Sequence, residues 1–153
     1  MDITCRIPTV DEIGQLADII GEFEKDNLAK NYFSDQPSTN TELLSYARDF
    51  INSESKRAFV AIANKRIVGF VLFILFTEDQ HLEIIDLYIQ PEFRKLGIGQ
   101  KLLHSVELIA TKLDFIIKVE VYEKNNPAIT FYQKLGYEND GVVLIKKISS
   151  HTV

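Results

Sequence analysis

Sulfur is nearly missing from this chain. Its one cysteine, Cys5, cannot close an internal disulfide and reads as a buried or half-buried structural thiol. No long hydrophobic run is present either: the longest, Ile67–Phe76, is interrupted by Gly69 and is too short to cross a bilayer. No His/Cys/Asp cluster has ligand spacing, so no metal is implied. The opening residues, Met1-Asp2-Ile3-Thr4-Cys5-Arg6, lack the basic region and apolar core of a secretory signal, which makes the cytoplasm the expected location. Positive charge is also short. A net charge of −5 argues against non-specific nucleic-acid binding, which needs clustered Lys and Arg facing phosphates. Repeats and linkers are absent, and 153 residues suit a single domain over 1–153 with 148–153 as a frayed tail.

What is there is a globular composition, 46% apolar and 25% charged, with uneven charge. Residues 1–55 hold eleven Asp or Glu against four Lys or Arg, a balance of −7 that leaves +2 for the rest. Such a division suits a cationic substrate on one part and an anionic cofactor on the other; a solvated acidic helix surface is the competing explanation.

Periodicity gives the elements. A first strand is expected at Ile3–Ile7, then a helix capped by Thr9 or Asp11 and carrying Ile13, Leu16, Ile19, Ile20 and Phe23. Lys30–Asn40 is rich in turn formers, and a second helix starts at Thr41. Ala58–Ala63, Ile67–Thr77 and His81–Ile89 form a meander whose first turn is Asn64-Lys65-Arg66. A helix over Gln100–Leu113 leads to a strand at Phe115–Val121, parallel to the one before it. Asn126 caps a short helix from Pro127, Gly136 ends it, and Asp140-Gly141 joins strands at Tyr137–Asn139 and Val142–Lys147. The expected class is α+β: a three-layer α/β/α sandwich around a mixed, largely antiparallel twisted sheet of about seven strands. The terminal hairpin would offer an edge for dimer pairing, so monomer and homodimer both remain open.

Chemistry concentrates in Asp86–Gln100. An apolar strand runs into Pro91, then into Arg94-Lys95-Leu96-Gly97-Ile98-Gly99, which opens a helix. Unpaired backbone N–H groups at a helix start hold anions, glycines let the backbone come close, and Arg94 and Lys95 add positive charge. A Walker A loop is excluded because Gly99 is followed by Gln100-Lys101-Leu102, with no hydroxyl for magnesium. A dinucleotide fingerprint is excluded because Leu102 stands where its third glycine would be.

The stretch resembles the R/Q-x-x-G-x-G/A pyrophosphate loop of the GNAT superfamily of N-acetyltransferases. Asn125–Tyr137, N-N-P-A-I-T-F-Y-Q-K-L-G-Y, resembles the second signature of the same superfamily, with Asn125, Ala128, Phe131, Tyr132, Lys134, Gly136 and Tyr137 in register. The order of elements is similar too. The resemblance implies acetyl-CoA as cosubstrate and a primary amine, small and cationic or on a peptide, as acceptor. Leu87, Tyr88 and Ile89 would pair with the pantetheine arm. Arg94, Lys95, Leu96, Gly97, Ile98, Gly99 and Gln100 would hold the pyrophosphate. Asn125, within the motif that includes Ala128, would bond the cofactor near its amide chain, and Tyr132 would protonate the departing sulfur. Glu83 stands where the histone-acetylating branch carries its general base. Alternation puts Glu83 on a face with Ile85, Leu87 and Ile89, with Asp86 and Tyr88 opposite as runners-up. A rim salt bridge is the other reading of Glu83. A catalytically inactive CoA-binding sensor or interaction domain is the alternative to an enzyme.

Overall fold

Asn64 and Lys65 set the register of the sheet. Both sit in the left-handed region, with φ of 51° and 65°, as a tight two-residue hairpin requires. They join β2 (Lys56–Ala63) to β3 (Arg66–Phe76), so that Ala63 faces Arg66. The computed structural model describes residues 2–32 and 36–148, in two compact units, 1–120 and 121–153.

In the first unit a five-stranded sheet has the order β1-β2-β3-β4-β5. The short β1 (Thr4–Arg6), β2, β3 and β4 (His81–Ile89) pair antiparallel, and β5 (Ile116–Val119) lies parallel to β4. The helix α1 (Ile13–Ala29) follows a single 3-10 turn, Val10–Glu12, whose entry is held by the Thr9 N–H donating to Glu12 Oε1 at 2.8 Å. Thr39 and Glu42 cap α2 (Asn40–Asn52) reciprocally, which starts the helix one residue before the expected Thr41. Two of the expected turn formers, Ser34 and Asp35, lie outside the described residues.

The sheet is covered on both faces. Leu16, Ile19 and Ile20 of α1 and Ala47 and Phe50 of α2 pack on Val60, Phe70, Leu72 and Tyr88. The opposite set, including Val71 and Phe73, belongs to the face covered by α3 (Ile98–Leu113), whose Leu102, Leu103 and Val106 are fully buried.

The second unit contains α4 (Asn126–Lys134). Its cap is Asn125 rather than the expected Asn126: Asn125 Oδ1 accepts from Ala128 N–H at 3.3 Å. Gly136, at φ 94°, ends the helix, with the Tyr137 N–H returning to the Tyr132 carbonyl. The expected strands Tyr137–Asn139 and Val142–Lys147 do not form, so among the described residues the sheet has five strands and not seven. A two-residue hairpin turn needs left-handed backbone at its first or at both central residues; Asp140 has negative φ and Gly141 stands at 155°. Val142, Val143, Leu144 and Ile145 are left 70–90% exposed, and the edge expected for dimer pairing is missing among the described residues. Of the expected frayed tail, 149–153 lies outside the described residues. No described helix is long and apolar enough to cross a membrane.

Gly69 faces Ile89 across β3 and β4, and a Cβ there would lie 2.6 Å from Ile89 Cδ1 and 3.0 Å from the Tyr88 carbonyl oxygen. Gly69→Ala should therefore lower stability by roughly 1–3 kcal/mol in urea titration through overpacking. Gly14→Ala, on the open side of α1 with nothing within 4 Å of its Cβ, should be neutral or stabilising.

Candidate functional site

The pairing of β4 changes at Ile85. Leu72 faces Asp86 but Phe73 faces Ile84, so Ile85 is the extra residue of a β-bulge. Directly opposed residues on antiparallel strands share a face. Glu83 opposite Ile74, Asp86 opposite Leu72 and Tyr88 opposite Phe70 therefore all lie on the side covered by α1 and α2. This corrects the expectation from simple alternation, which put Glu83 with Leu87 and Ile89 and set Asp86 and Tyr88 opposite. The bulge inserts one residue between Glu83 and Asp86, and every side chain beyond it changes side.

β5 leaves at the same place. It accompanies β4 only over His81–Ile84, and from Ile85 to Ile89 no strand of the first unit pairs with that side of β4 among the described residues. A segment of exposed backbone donors and acceptors results, bounded by Leu87, Tyr88 and Ile89.

The open segment leads directly to the turn. Arg94 is tied back to the strand: its Nε donates to the Ile89 carbonyl at 2.9 Å, its guanidinium lies 5.4 Å over the Tyr88 ring, and Nη2 is 3.8 Å from Asp26 Oδ2. Lys95 and Leu96 are exposed, and Lys95 adopts φ of 65°. Gly97, at φ 79°, is the N-cap of α3, and no side chain caps the helix. Lys101 N–H makes the first helical bond, to the Gly97 carbonyl at 3.1 Å, which leaves the amides of Ile98, Gly99 and Gln100 outside the helical ladder. An uncapped helix start with an exposed cation beside it is suited to holding an anion. Gly97 is needed for its backbone angle, since a Cβ there would meet nothing within 4 Å.

On the α1/α2 side of β4 lies a cavity of about 370 Å³ lined by Ile20, Phe23, Glu24, Ser38, Glu42, Leu43, Tyr46 and Asp86. Tyr46 Oη donates to Asp86 Oδ2 at 3.1 Å. Burial pushes the Asp86 carboxyl up to about 6, with Glu24 adding to the effect and the Tyr46 hydrogen bond opposing it. Burial likewise raises the Tyr46 phenol. Glu24 is held by Ser38, which donates from both its N–H and its hydroxyl. Glu83 stands outside this group, half-buried and 3.5 Å from His81 Nε2. Tyr88 is a core ring, edge-on to Phe23 at 5.7 Å, and burial raises its phenol above the ordinary value.

Sequence reasoning passed over Tyr46 and Glu24. Tyr46 follows Leu43 by three residues on the packed face of α2, where a phenol needs a polar partner, but nothing in the chain names Asp86, forty residues on. Asn125, Ala128 and Tyr132 belong to the second unit. There Tyr132 is buried, with Phe131 and Tyr137 edge-on at 5.3 Å each.

The family model of the acetyltransferase (GNAT) family matches residues 22–137. The catalytic subunit NAA20 of the N-terminal acetyltransferase B complex from Arabidopsis thaliana is 30% identical over 86 residues, 47% of this chain and 49% of that protein. An uncharacterised N-acetyltransferase of Methanocaldococcus jannaschii is 34% identical over 91 residues, 56% of this chain and 40% of that protein. The chain spans at most about half the length of these curated relatives. The solved aminoglycoside N-acetyltransferase AAC(6′)-Iy in complex with CoA has a TM-score of 0.79 and 14% identity, over 96% of this chain and 95% of that one, a likeness of fold.

The half-buried Asp86 carboxylate makes a stability prediction. Its folded pKa, about 6, lies above its ordinary 3.8, so its protonated form is favoured by folding; that contribution is complete below pH 3.8 and is lost as pH rises through 6. Asp86→Asn keeps an acceptor for Tyr46 and should raise stability at pH 8 by on the order of 2–3 kcal/mol. The gain should vanish near pH 4, as read from melting curves at the two pH values.

Proposed function

This chain belongs to the acetyltransferase (GNAT) family, and on that footing we propose that it transfers an acetyl group from acetyl-CoA to a primary amine by direct attack in a ternary complex. One observation carries the reading: β4 loses its parallel neighbour after Ile84 and then delivers the chain to a helix start that no side chain caps.

The residues present fit the cofactor's two halves. An amide-bearing arm can add to the open backbone of Leu87, Tyr88 and Ile89 as an extra strand. A diphosphate can seat on the amides of Ile98, Gly99 and Gln100, and the Arg94–Gln100 stretch contains no carboxylate to oppose it. Lys95 supplies exposed positive charge there, Leu96 an exposed apolar contact, and Arg94 holds the turn against Ile89. Asn125 uses its oxygen on the Ala128 N–H, which leaves its amide N–H groups to donate to a carbonyl on the arm. The solved neighbour that holds CoA supports the choice of cofactor.

Acetyl-CoA supplies the acetyl group as a thioester, activated toward an amine. The ammonium of the acceptor, with a pKa near 10, must lose a proton before it can attack. A carboxylate on the α1/α2 face of β4 receives it, where Glu83 and Asp86 both stand. Tyr132 acts as general acid, donating its phenolic proton to the departing thiolate.

Tyr132→Phe keeps the ring and removes the proton. It should lower kcat by about 10²-fold, with the acetyl-CoA Kd from calorimetry changed by less than about threefold. Unchanged turnover would remove Tyr132 from the chemistry.

A further inference from the structure

The cavity between α1, α2 and β4 has a composition that selects its occupant. Among the described residues three carboxylates line it, Glu24, Glu42 and Asp86, and no lysine or arginine does. The remaining wall is Ile20, Phe23 and Leu43, with the hydroxyls of Ser38 and Tyr46. Carboxylates and an apolar surface lining one cavity match a molecule whose cationic ends are joined by methylenes. A hydroxyl-rich polycation would leave its polar groups against the side chains of Ile20, Phe23 and Leu43.

Position within the cavity singles out Asp86. It is the first residue beyond the bulge, at the point where β5 has left the strand, so it stands beside the open segment of β4. Tyr46 fixes one of its oxygens at 3.1 Å, while Oδ1 has no protein hydrogen bond among the described residues. Glu24 is committed to Ser38 and Glu42 to the cap at Thr39. Glu83 shares the face of Asp86 but is paired with His81 and is not among the residues that line the cavity.

Resting on the acetyltransferase reading above, we infer that Asp86 receives the reacting ammonium of a short aliphatic diamine and takes its proton. Glu24 and Glu42 attract the second ammonium. The N–H pair of electrons stays on nitrogen, the proton moves to the Asp86 carboxylate, and the freed lone pair forms the bond to the acetyl carbon; the C–S bond then breaks, the thiolate leaves with the Tyr132 proton, and the second N–H proton, lost as the amide forms, restores the phenol. A carboxyl at about 6 is ionised at neutral pH yet more basic than a solvated aspartate. The charged and titratable groups facing it are Tyr46 and Glu42 from α2, Glu24 from α1, and Glu83 and Tyr88 on its own strand, with Arg94 over the Tyr88 ring.

The test measures thiol release from acetyl-CoA by the full chain with 1,4-diaminobutane, butylamine, an aminoglycoside and a peptide α-amine. The diamine should exceed butylamine in kcat/KM by at least about tenfold at low salt. The acidic limb of its kcat against pH should fall near pH 6. Asp86→Asn should lower kcat by about 10²-fold and abolish that limb while the protein melts no lower than wild type at pH 8. Tyr46→Phe should move the limb upward, because the hydrogen bond it removes favours the ionised form. Thiol release with Asp86→Asn retaining wild-type kcat and its limb, or a preference for the aminoglycoside or the peptide, would overturn this inference and leave the acetyltransferase reading intact. Acetyl-CoA binding without thiol release for any amine would overturn both.

Discussion

One inserted residue governs the geometry of the first unit. Ile85 has no partner on β3, and that single surplus position re-aims everything beyond it on β4. Had β4 stayed in strict alternation with Glu83, Asp86 would point toward α3 and Leu87 toward α1 and α2. With the bulge, Asp86 meets Tyr46, Tyr88 joins the α1/α2 core, and Leu87 returns to the opposite face. The strand also parts from β5 at this position, which opens its backbone to a ligand. Bulges increase local twist and end pairing, and here both effects fall where the strand meets the candidate site.

Charge is arranged around that strand with opposite sign on two sides. Toward the C-terminal end of β4, the α3 start offers unpaired amides, the positive end of a helix dipole and Lys95. On the α1/α2 face, three carboxylates gather around a cavity. Within the acidic excess of residues 1–55, Glu24 and Glu42 line the cavity, and Glu22 accepts from the Gln90 amide at the end of β4. A half-buried carboxylate raised to about 6 costs stability at neutral pH.

Most of the first unit was legible in the sequence because local chemistry agrees with tertiary demand. Asn64-Lys65 tolerates left-handed backbone, Thr39 and Glu42 sit at capping-box spacing, and the apolar stripe of α3 repeats at helical period. The turn from Arg94 to Gly99 was legible too, because an N-cap with positive φ calls for glycine. Three features were not. The bulge leaves no mark in an apolar strand, where any residue can be the surplus one, so alternation sets Glu83 and Asp86 on opposite faces although they share one. The bond from Tyr46 to Asp86 joins positions forty residues apart, and no local pattern encodes it. Val142–Ile145 has strong strand propensity, but propensity without a partner strand does not make a sheet, and Gly141 lacks the turn angle.

Backbone amide exchange followed by NMR, with and without acetyl-CoA, tests most directly that β4 beyond its bulge and the α3 start form one binding surface. The account predicts slowed exchange at residues 85–89 together with Ile98, Gly99 and Gln100, and little change at Leu82–Ile84, already paired with β5. Slowed exchange elsewhere, with those amides unaffected by saturating acetyl-CoA, would contradict it.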